Sequence, residues 1–318
     1  MKILHVTTNY PTSEFPIYGI FVKEQVESLQ KIGVDCDVFY CDGKNRGLKQ
    51  YITYLPKLWW RVAFGDYDII HCHHALSAVI LSMTGLTFFK RVVLSYQNDP
   101  TREWGDMAFR FFNTHFKAFI LKNNSEHYLA YPKVHYLPNG CNQDFFRPMD
   151  MQECRKELGW DATRKYVIYM DSNKGVRTQK RRDRFDETLE ILRQKYGHDV
   201  EIVVMRNVKR ELIPTYMNAA DLHMISSDFE GSPNSVKECL CCNTPVVSTN
   251  VGNVEEMIGD IEGAYVVNEF SADALAEACD KVFKSTIPFN GRDKFLAKGY
   301  SMATVAQKLK TLYESILK

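Results

Sequence analysis

Asp228-Phe-Glu-Gly-Ser-Pro-Asn-Ser-Val-Lys-Glu-Cys-Leu-Cys-Cys-Asn-Thr-Pro-Val-Val-Ser-Thr-Asn250 is the stretch of this chain that decides its fold. Gly231 and Pro233 break the backbone, so residues 235–242 are predicted to form a helix that begins just after them. An apolar run at 245–248 then predicts a buried strand. The stretch therefore indicates a loop, a helix and a strand in quick succession, which is typical of an α/β protein.

Two carboxylates stand eight positions apart in this stretch. Glu230 lies in the predicted loop, and Glu238 lies about two turns inside the predicted helix. The free N–H groups at a helix start favour phosphate, and carboxylates accept hydrogen bonds from hydroxyl groups. The pair therefore predicts a site for a sugar nucleotide.

The stretch resembles the signature of retaining glycosyltransferases of family 4, which have the GT-B fold and carry a Glu-x7-Glu pair. The matching residues are Glu230-Gly231-Ser232-Pro233, Glu238, Thr244-Pro245-Val246-Val247, Gly252 and Glu255-Glu256. The chain departs from the pattern at Cys239, Asn243 and Asn253, none of which carries chemistry in the family. The resemblance covers nearly the whole chain and is densest over residues 219–267.

The composition is that of a globular enzyme. At 318 residues, 45% hydrophobic and 25% charged, the chain is long enough for two domains. A net charge of +1 argues against a nucleic-acid binder. No signal peptide and no long apolar run are recognised, and the nine cysteines are expected to be reduced thiols in the cytoplasm.

Apolar runs alternate with helical segments in two series, which predicts parallel sheets with helices on both faces. The runs lie at 2–7, 36–40, 69–72 and 92–95, and then at 166–170, 201–205, 222–225, 245–248 and 264–267. The predicted fold class is α/β of the GT-B type, with two Rossmann-like doubly wound parallel-sheet domains facing across a cleft. The expected domains are an acceptor-side domain at 1–147, a nucleotide-sugar-binding domain at 148–300, and a C-terminal helix at 301–318 that returns to the first domain.

The resemblance implies roles for the residues of the opening stretch. Glu230 would hold hydroxyls of the transferred sugar close to the reacting carbon, and Glu238 would bind the ribose. The loop and helix start are expected to contact the donor through Gly231, Ser232, Pro233 and Asn234. Backbone groups near Met205 would recognise the base.

A basic segment, Asp171–Arg184, follows the predicted strand at 166–170. Family members place an arginine and a lysine here, where they meet the charge of a departing diphosphate. We assign these roles to Arg177 and Lys180, with Lys174 as the alternative to Arg177. Arg181, Arg182 and Arg184 are interpreted as surface residues, and a solvated charged loop is the competing interpretation of the whole segment.

Two features of the first half lie at predicted strand ends. Gly19 closes the loop after the first strand, where a glycine lets the backbone approach a phosphate or sugar. His71-Cys-His-His74 resembles the family's His-x-His, whose second histidine reaches the transferred sugar, so His73 is predicted to be catalytic and His71 to be a core residue. Zinc is a less favoured alternative, because consecutive strand residues point to opposite faces and no carboxylate partner is evident.

Tyr96-Gln-Asn-Asp99 follows the next strand, where family members often have a histidine that Gln97 replaces here. Asp99 is the candidate residue on the acceptor side. Asp66-Tyr-Asp68 has the spacing of a metal-binding Asp-x-Asp, but it precedes a strand and so lies at the wrong end of the sheet. Transfer without a metal or another cofactor is therefore expected.

Residues 44–61 mix basic and aromatic side chains, a mixture suited to an anionic membrane surface. The alternative is a helix that packs Leu55, Leu58, Trp59 and Val62 against its own sheet. Both interpretations stand, since one helix has two faces.

The resemblance as a whole implies a retaining hexosyltransferase that uses a nucleotide-sugar, with UDP preferred to GDP, and a glycan or lipid-linked acceptor. The setting would be bacterial cell-surface polysaccharide or glycolipid assembly, in the cytoplasm or peripherally on the inner face of the plasma membrane. Two alternatives remain open: a GT-B sugar-nucleotide epimerase, and a catalytically silent homologue that only binds nucleotide-sugar. The family's usual Gly-Arg pair is absent from the basic segment Asp171–Arg184, and this absence and Gln97 are the best arguments for the silent homologue. The presence of Glu230, Glu238 and His73 counts against it.

Overall fold

A computed structural model describes residues 1–43, 47, 49–171 and 177–318. The chain divides into two compact units, one formed by Met1–Gly140 with Met302–Lys318 and the other by Cys141–Ser301. Each unit is built on a sheet whose paired strands are all parallel. The architecture confirms the predicted fold class, an α/β chain with two Rossmann-like parallel-sheet domains.

The first sheet has six strands in the order β2-β1-β3-β4-β5-β6, and the second has five in the order β11-β10-β9-β7-β8. The strands are β1 Lys2–Thr7, β2 Asp35–Tyr40, β3 Ile69–His73, β4 Val92–Ser95, β5 Ala118–Leu121, β6 Val134–Tyr136, β7 Lys165–Met170, β8 Val200–Met205, β9 Leu222–Ile225, β10 Val246–Thr249 and β11 Tyr265–Val267.

The helices of the described residues are α1 Ile20–Lys31, α2 Lys49–Phe64, α3 Ala75–Ser82, α4 Pro100–Glu103, α5 Gly105–His115, α6 Glu126–Leu129, α7 Met151–Leu158, α8 Arg182–Gln194, α9 Ile213–Ala219, α10 Asn234–Cys241, α11 Val254–Ile258, α12 Ala272–Lys284, α13 Gly291–Ala297 and α14 Met302–Leu317. Short 3-10 turns lie at Leu86–Phe88, Thr178–Lys180 and Arg210–Leu212.

The first sheet is buried on both faces, which explains the continuous apolar runs of its central strands. Ile70 of β3 shares one core cluster with Leu58 of α2. Its neighbour Ile69 shares the opposite cluster with Val26 of α1 and Leu309 of α14. The C-terminal helix α14 therefore covers one face of the first sheet.

The chain passes into the second unit earlier than the predicted boundary after residue 147. Residues 134–136 form the edge strand β6 of the first sheet and pair with β5. Cys141 then forms an isolated parallel bridge with Ser301, and its N–H donates to the carbonyl of Tyr300 at 2.8 Å. These bonds tie residue 141 to the second unit.

Helix α2 has two apolar faces. Leu58 and Val62 are fully buried and Leu55 is half-buried, as the packing interpretation predicted. Trp59 was expected to pack with them, but 42% of it is exposed, and Trp60 next to it is 64% exposed. Lys44, Arg46 and the rest of 44–46 and 48 lie outside the described residues.

None of the helices in the described ranges has both the length and the hydrophobicity that a membrane span requires. All nine cysteines are free and buried. Cys239, Cys241 and Cys242 pack into the core of the second unit as small apolar residues.

Candidate active site

The segments that follow β7, β9 and β10 meet at the carboxyl end of the second sheet. The N–H of Asp228 donates to the carbonyl of Gln179 at 2.8 Å. The hydroxyl of Thr249 donates to the carbonyl of Ser227 at 2.7 Å. In parallel α/β sheets, ligands bind at this end of the strands.

An ion pair joins two of these segments. Glu230 Oε1 accepts from Lys180 Nζ at 3.4 Å and from the Ser227 hydroxyl at 3.0 Å. About one fifth of each charged side chain is exposed, 19% of Lys180 and 21% of Glu230. The structure thus brings together two residues predicted from separate stretches of sequence, and both remain within reach of a ligand.

The loop after Glu230 leads directly into α10, whose fifth residue, Glu238, is half-buried. The loop is held closely by the chain at Gly252, which has a φ of +59°. A Cβ on Gly252 would lie 2.1 Å from the carbonyl oxygen of Gly231, so a side chain there would displace the loop. Glycine at 252 is required both by its conformation and by this contact.

Lys237 lies beneath the loop and was missed by the sequence analysis. It is 1% exposed, and its Nζ donates to the Ser232 carbonyl at 3.4 Å and to Asn234 Oδ1 at 3.3 Å. Burial lowers its pKa to about 8, against the raising effects of Cys141, Glu238 and Glu256. Val236 and Cys239 are buried residues of the same helix, close to Lys237 in sequence. These apolar neighbours are the signal from which burial of the lysine could have been predicted.

His223 is a second residue that sequence reasoning missed. It is fully buried in β9, with Nδ1 3.1 Å from the Ile168 carbonyl and Nε2 2.9 Å from the Ser235 hydroxyl. A carbonyl can only accept, so Nδ1 carries the proton and Nε2 accepts from Ser235. Burial lowers the His223 pKa to about 4, which keeps the ring neutral while it ties β9 and β7 to the start of α10.

The basic segment is described only from Arg177 onward, and Lys174 lies outside the described residues. Arg177 is exposed and precedes the 3-10 turn that carries Lys180. Arg184 was interpreted as a surface residue, which is wrong. Its side chain is 7% exposed and donates to the Ser226 carbonyl at 2.7 Å and to Asp228 at 2.8 Å. These acceptors lie in the loop after β9, which the sequence could not place beside α8.

Met205 is the last residue of β8, and its side chain lies in the core with 5% exposed. Only its backbone groups are therefore available to a nucleotide base. Pro233 is buried, whereas Gly231, Ser232 and Asn234 are half-buried. The hydroxyl of Ser232 is itself buried and has no hydrogen-bond partner among the described residues.

In the first unit, His73 lies in the core rather than at the surface. It is fully buried, and its Nε2 is 3.0 Å from Nδ1 of His5 on the neighbouring strand β1. A side chain without exposed surface cannot contact a sugar in this conformation. His71 is also fully buried, as predicted.

His5, His71 and His73 face one another, with one ring nitrogen of each within 4.8 Å of the others, a spacing that could hold a metal ion. His71 and His73 share a face because they are two positions apart on β3. Both ring nitrogens of His71 already have partners, the hydroxyls of Tyr313 at 2.5 Å and Ser95 at 2.7 Å. A metal ion would have to replace one of these bonds.

His74, one residue further along the chain, is the partly exposed histidine of this strand end. Its φ of +73° turns the side chain away from the β3 core, and 20% of it is exposed. Its Nε2 lies 2.6 Å from the side-chain nitrogen Nδ2 of Asn9, whose side-chain oxygen Oδ1 accepts from the hydroxyl of Tyr18. Its Nδ1 lies 3.8 Å from Glu103. These side chains form a polar network at the carboxyl end of the first sheet.

Gly19 contacts the same network through its backbone. It has a φ of +70°, and a Cβ there would lie 2.3 Å from the carbonyl carbon of Asn9. The predicted close approach of backbone at Gly19 is thus an approach to the chain's own loop.

Asp99 caps a short helix. One carboxylate oxygen accepts from the Thr101 N–H at 2.9 Å, and the other accepts from the Ser125 hydroxyl at 2.9 Å. Burial alone would raise the pKa of Asp99, but the hydrogen bonds from Thr101 and Ser125 outweigh it and lower the pKa. Both oxygens of the candidate acceptor-side residue therefore have partners within the protein.

The two parallel-sheet units, with basic and acidic side chains meeting at the carboxyl end of the second sheet, define an α/β enzyme of the GT-B type. Residues 183–302 match the family model described as "Glycosyl transferases group 1". TuaC of Bacillus subtilis (strain 168), a glycosyltransferase assigned to teichuronic acid biosynthesis, is 25% identical over 87% of this chain and 88% of its own length.

Solved structures share the fold over nearly the whole chain. Sucrose-phosphate synthase from Thermosynechococcus elongatus superposes with a TM-score of 0.76 at 16% identity, covering 99% of both chains. HepE from Anabaena, solved in complex with UDP-glucose, has a TM-score of 0.73 at 13% identity and covers 99% of this chain and 100% of its own. The chain has the GT-B fold, and its match to this family model together with its likeness to TuaC indicates a glycosyltransferase. Neither the epimerase nor the silent homologue is favoured by these comparisons.

Proposed function

We propose that the chain is a retaining, metal-independent hexosyltransferase of family 4. It takes a hexose from a nucleotide-sugar, with UDP preferred to GDP, and transfers it to a glycan or lipid-linked acceptor. The observation that carries this proposal is the pairing of Lys180 with Glu230 beside the start of α10. A cation, a carboxylate and free helix N–H groups together suit a phosphorylated sugar.

Each candidate site residue of the second unit has a role in this proposal. Glu230 accepts hydrogen bonds from the hexose hydroxyls, and Glu238 accepts them from the ribose. Arg177, Lys180 and the start of α10 meet the negative charge that builds on the departing diphosphate. The base is held by backbone groups near Met205.

The proposed reaction needs no protein nucleophile. The bond between the anomeric carbon and the diphosphate oxygen breaks, and the acceptor oxygen attacks from the same face. The acceptor proton passes to the departing phosphate, so the diphosphate leaves with the proton and the configuration is retained. In the first unit, the partly exposed His74 is better placed than the buried His73 to contact a sugar hydroxyl.

The relatives support a uridine nucleotide and a polysaccharide product. HepE has been solved with UDP, and also with UDP-glucose. TuaC is assigned to teichuronic acid biosynthesis. We further propose that the enzyme works in the cytoplasm, peripherally on the inner face of the plasma membrane, through residues 44–61. Of these, the structure describes Gly47 and 49–61, where Lys57 and Trp60 are exposed.

A thermal-shift screen of UDP, GDP, ADP and their sugars, with and without EDTA, tests the proposal. Ligand binding raises the apparent stability with the logarithm of ligand concentration over its dissociation constant. UDP and a UDP-hexose should raise the Tm, EDTA should leave that shift intact, and Glu238→Ala should abolish it. NMR of the product should then show the donor's anomeric configuration. No shift with any nucleotide at millimolar concentration, or conversion of the sugar to its C2 epimer, would contradict the proposal.

A further inference from the structure

Large exposed hydrophobic side chains are concentrated in one part of the first unit. Among its described residues, all of those more than 40% exposed lie between positions 52 and 111: Ile52, Trp59, Trp60, Phe64, Met83, Phe88, Phe89, Trp104, Met107 and Phe111. In the second unit such residues are scattered along the chain, at Met149, Phe229, Phe270 and Ile287. A concentration of this kind marks an interaction surface.

Five of these residues form what we call the Phe88–Phe111 surface: Phe88, Phe89, Trp104, Met107 and Phe111. The rings of Phe88 and Phe111 lie 6.4 Å apart, which joins the 3-10 turn Leu86–Phe88 to helix α5. Phe89 is 83% exposed and Met107 is 86% exposed. Both side chains leave apolar surface in water that burial would stabilise.

Helix α5 is apolar on both faces. Met107 and Phe111 have the four-residue spacing of one helix face, and Trp104 directly precedes the helix. Phe109 and Phe112, on the other face, are buried in the core. The core therefore accounts for only one of the two apolar faces of this helix.

Helix α2, which also carries exposed aromatic residues, lies next to the 3-10 turn of this surface. Helix α2 packs against α3 and against the 3-10 turn that carries Phe88. On α2 the rings of Trp60 and Phe64 lie 4.4 Å apart, and both residues are more than 60% exposed. The two sets of aromatic residues thus lie on the same side of the first sheet.

The exposed charges around these aromatic residues are predominantly positive. Lys90 and Arg91 follow Phe89 directly, and Lys117 lies exposed just beyond α5. Helix α2 carries Lys49, Lys57 and Arg61 and no acidic residue. Arg61 is paired with Asp37 at 3.0 Å, and the exposed Asp66 follows the helix, so Lys49 and Lys57 supply the positive charge of α2. Of the acidic residues nearby, Glu103 is turned inward with 8% of its side chain exposed, and it accepts from the backbone N–H groups of residues 75, 97 and 98. Asp106 is paired with Arg110 at 2.9 Å.

We propose that the Phe88–Phe111 surface, together with the exposed face of α2, docks the first unit onto an anionic phospholipid bilayer. Aromatic rings settle at the depth of the lipid headgroups, and nearby lysine and arginine side chains are attracted to anionic headgroups. The surface thereby extends the proposed membrane contact from residues 44–61 to a second element of the fold. It rests on the proposed function only in that a lipid-linked acceptor gives the docking a purpose.

Co-sedimentation with vesicles tests this inference on the full chain. The chain should bind phosphatidylglycerol vesicles about tenfold more tightly than phosphatidylcholine vesicles. The triple variant Phe88→Ser, Phe89→Ser, Met107→Ser should lose about tenfold in binding to the anionic vesicles. The matched control is Phe270→Ser, Ile287→Ser, which removes exposed hydrophobic residues from the second unit and should bind as the unmodified chain does.

The charge contribution is tested with Lys90→Glu, Arg91→Glu, which should weaken binding to phosphatidylglycerol and leave binding to phosphatidylcholine unchanged. The inference is overturned if the unmodified chain does not bind vesicles, or if the triple variant binds as tightly as the control. It is also overturned if the surface instead forms a dimer that the triple variant returns to a monomer. The UDP thermal shift of each variant is measured in parallel. If UDP shifts the Tm of neither the unmodified chain nor any variant, the result counts against the proposed function and not against the bilayer surface.

Discussion

Lys180 Nζ and Glu230 Oε1 lie 3.4 Å apart, and this ion pair links the basic segment after β7 to the acidic loop after β9. A partly exposed ion pair contributes little to stability, usually less than about 1 kcal/mol. The pair is therefore better explained by the ligand that it would meet than by the fold that it would stabilise.

The first prediction follows from that pair. Glu230→Gln keeps the size of the side chain and removes its charge. The rate of hexose transfer should therefore fall by about 100-fold, while the Tm changes little. The control is Glu201→Gln, which removes a carboxylate of the same unit that is 46% exposed and paired with Arg164. Steady-state kinetics and thermal unfolding of both variants check the prediction. Equal activity of the two variants would remove Glu230 from the site.

The second prediction uses two glycines that share a backbone conformation. Gly252 has a φ of +59° and Gly159 a φ of +69°, so the left-handed backbone conformation alone should make alanine cost about 1 kcal/mol of stability at either position. Only at Gly252 would the added Cβ meet another part of the chain, the carbonyl of Gly231, whereas at Gly159 it would meet nothing within 4 Å. Gly252→Ala should therefore weaken UDP binding at least about tenfold, and Gly159→Ala should leave it unchanged. Calorimetric titration of both variants distinguishes loop displacement from general destabilisation.

Much of the fold could be predicted because its signals are local. The runs that become β1, β3, β4, β7 and β9 are short, apolar and bounded by polar residues, so each is recognisable by itself. Lys180, Glu230 and Glu238 were assigned from motifs within single stretches of sequence. Since each stretch follows a predicted parallel strand, their common location at one sheet edge also follows from the sequence.

The rest depends on contacts between residues far apart in sequence. Arg184 is buried against its acceptors, Ser226 and Asp228. Both lie more than forty positions away in sequence, so local patterns around Arg184 do not reveal the contact. His5 lies on a different strand from His71 and His73, so a three-histidine cluster was not visible in the motif 71–74. The choice between His73 and His74 depends on a φ of +73° at His74, a conformation that sequence patterns do not predict for a histidine.

The third prediction concerns these two histidines. His74→Ala removes a partly exposed ring that contacts Asn9, so it should lower kcat/KM at least about tenfold with little loss of stability. His73→Ala leaves a cavity and an unpaired His5 in the core, so it should lower the free energy of unfolding by about 2 kcal/mol. Urea unfolding and kinetics of both variants separate the effects. A folded, stable His73→Ala variant without activity would instead return the catalytic role to His73.

The fourth prediction distinguishes capping from acceptor binding at Asp99. Because both carboxylate oxygens are engaged by Thr101 and Ser125, Asp99→Ala should lower the free energy of unfolding by about 1 kcal/mol. The KM for acceptor should change less than about threefold. The control is Asp150→Ala, which removes the capping side chain of α7 in the second unit, where Asp150 accepts from the Glu153 N–H at 2.8 Å. A large rise in the acceptor KM for Asp99→Ala alone would show that Asp99 binds the acceptor.

The last prediction concerns the buried ammonium group of Lys237, beneath the loop that leads from Glu230 into α10. Lys237 has an ordinary pKa of 10.5 when unfolded and a pKa of about 8 in the folded chain, lowered chiefly by burial. Below about pH 8 both states hold the proton, and the folded state bears the full cost of the buried charge, about 3 kcal/mol. Between pH 8 and 10.5 only the unfolded chain holds it, so this residue makes the free energy of unfolding rise with pH.

Lys237→Met removes that group, so the variant should lack this rise. The stability of the unmodified chain minus that of the variant should therefore increase by up to about 3 kcal/mol between pH 7 and pH 10, as measured by urea unfolding. Lys195→Met, at a lysine whose side chain is 61% exposed, is the matched control and should preserve the pH dependence of the unmodified chain. If the difference in stability between the unmodified chain and Lys237→Met does not change with pH, the ammonium group stays charged throughout this range. It would then be held by stronger partners than Ser232 and Asn234. The same variant should weaken UDP binding at pH 7, because the charged group donates to both residues of the loop and helix start.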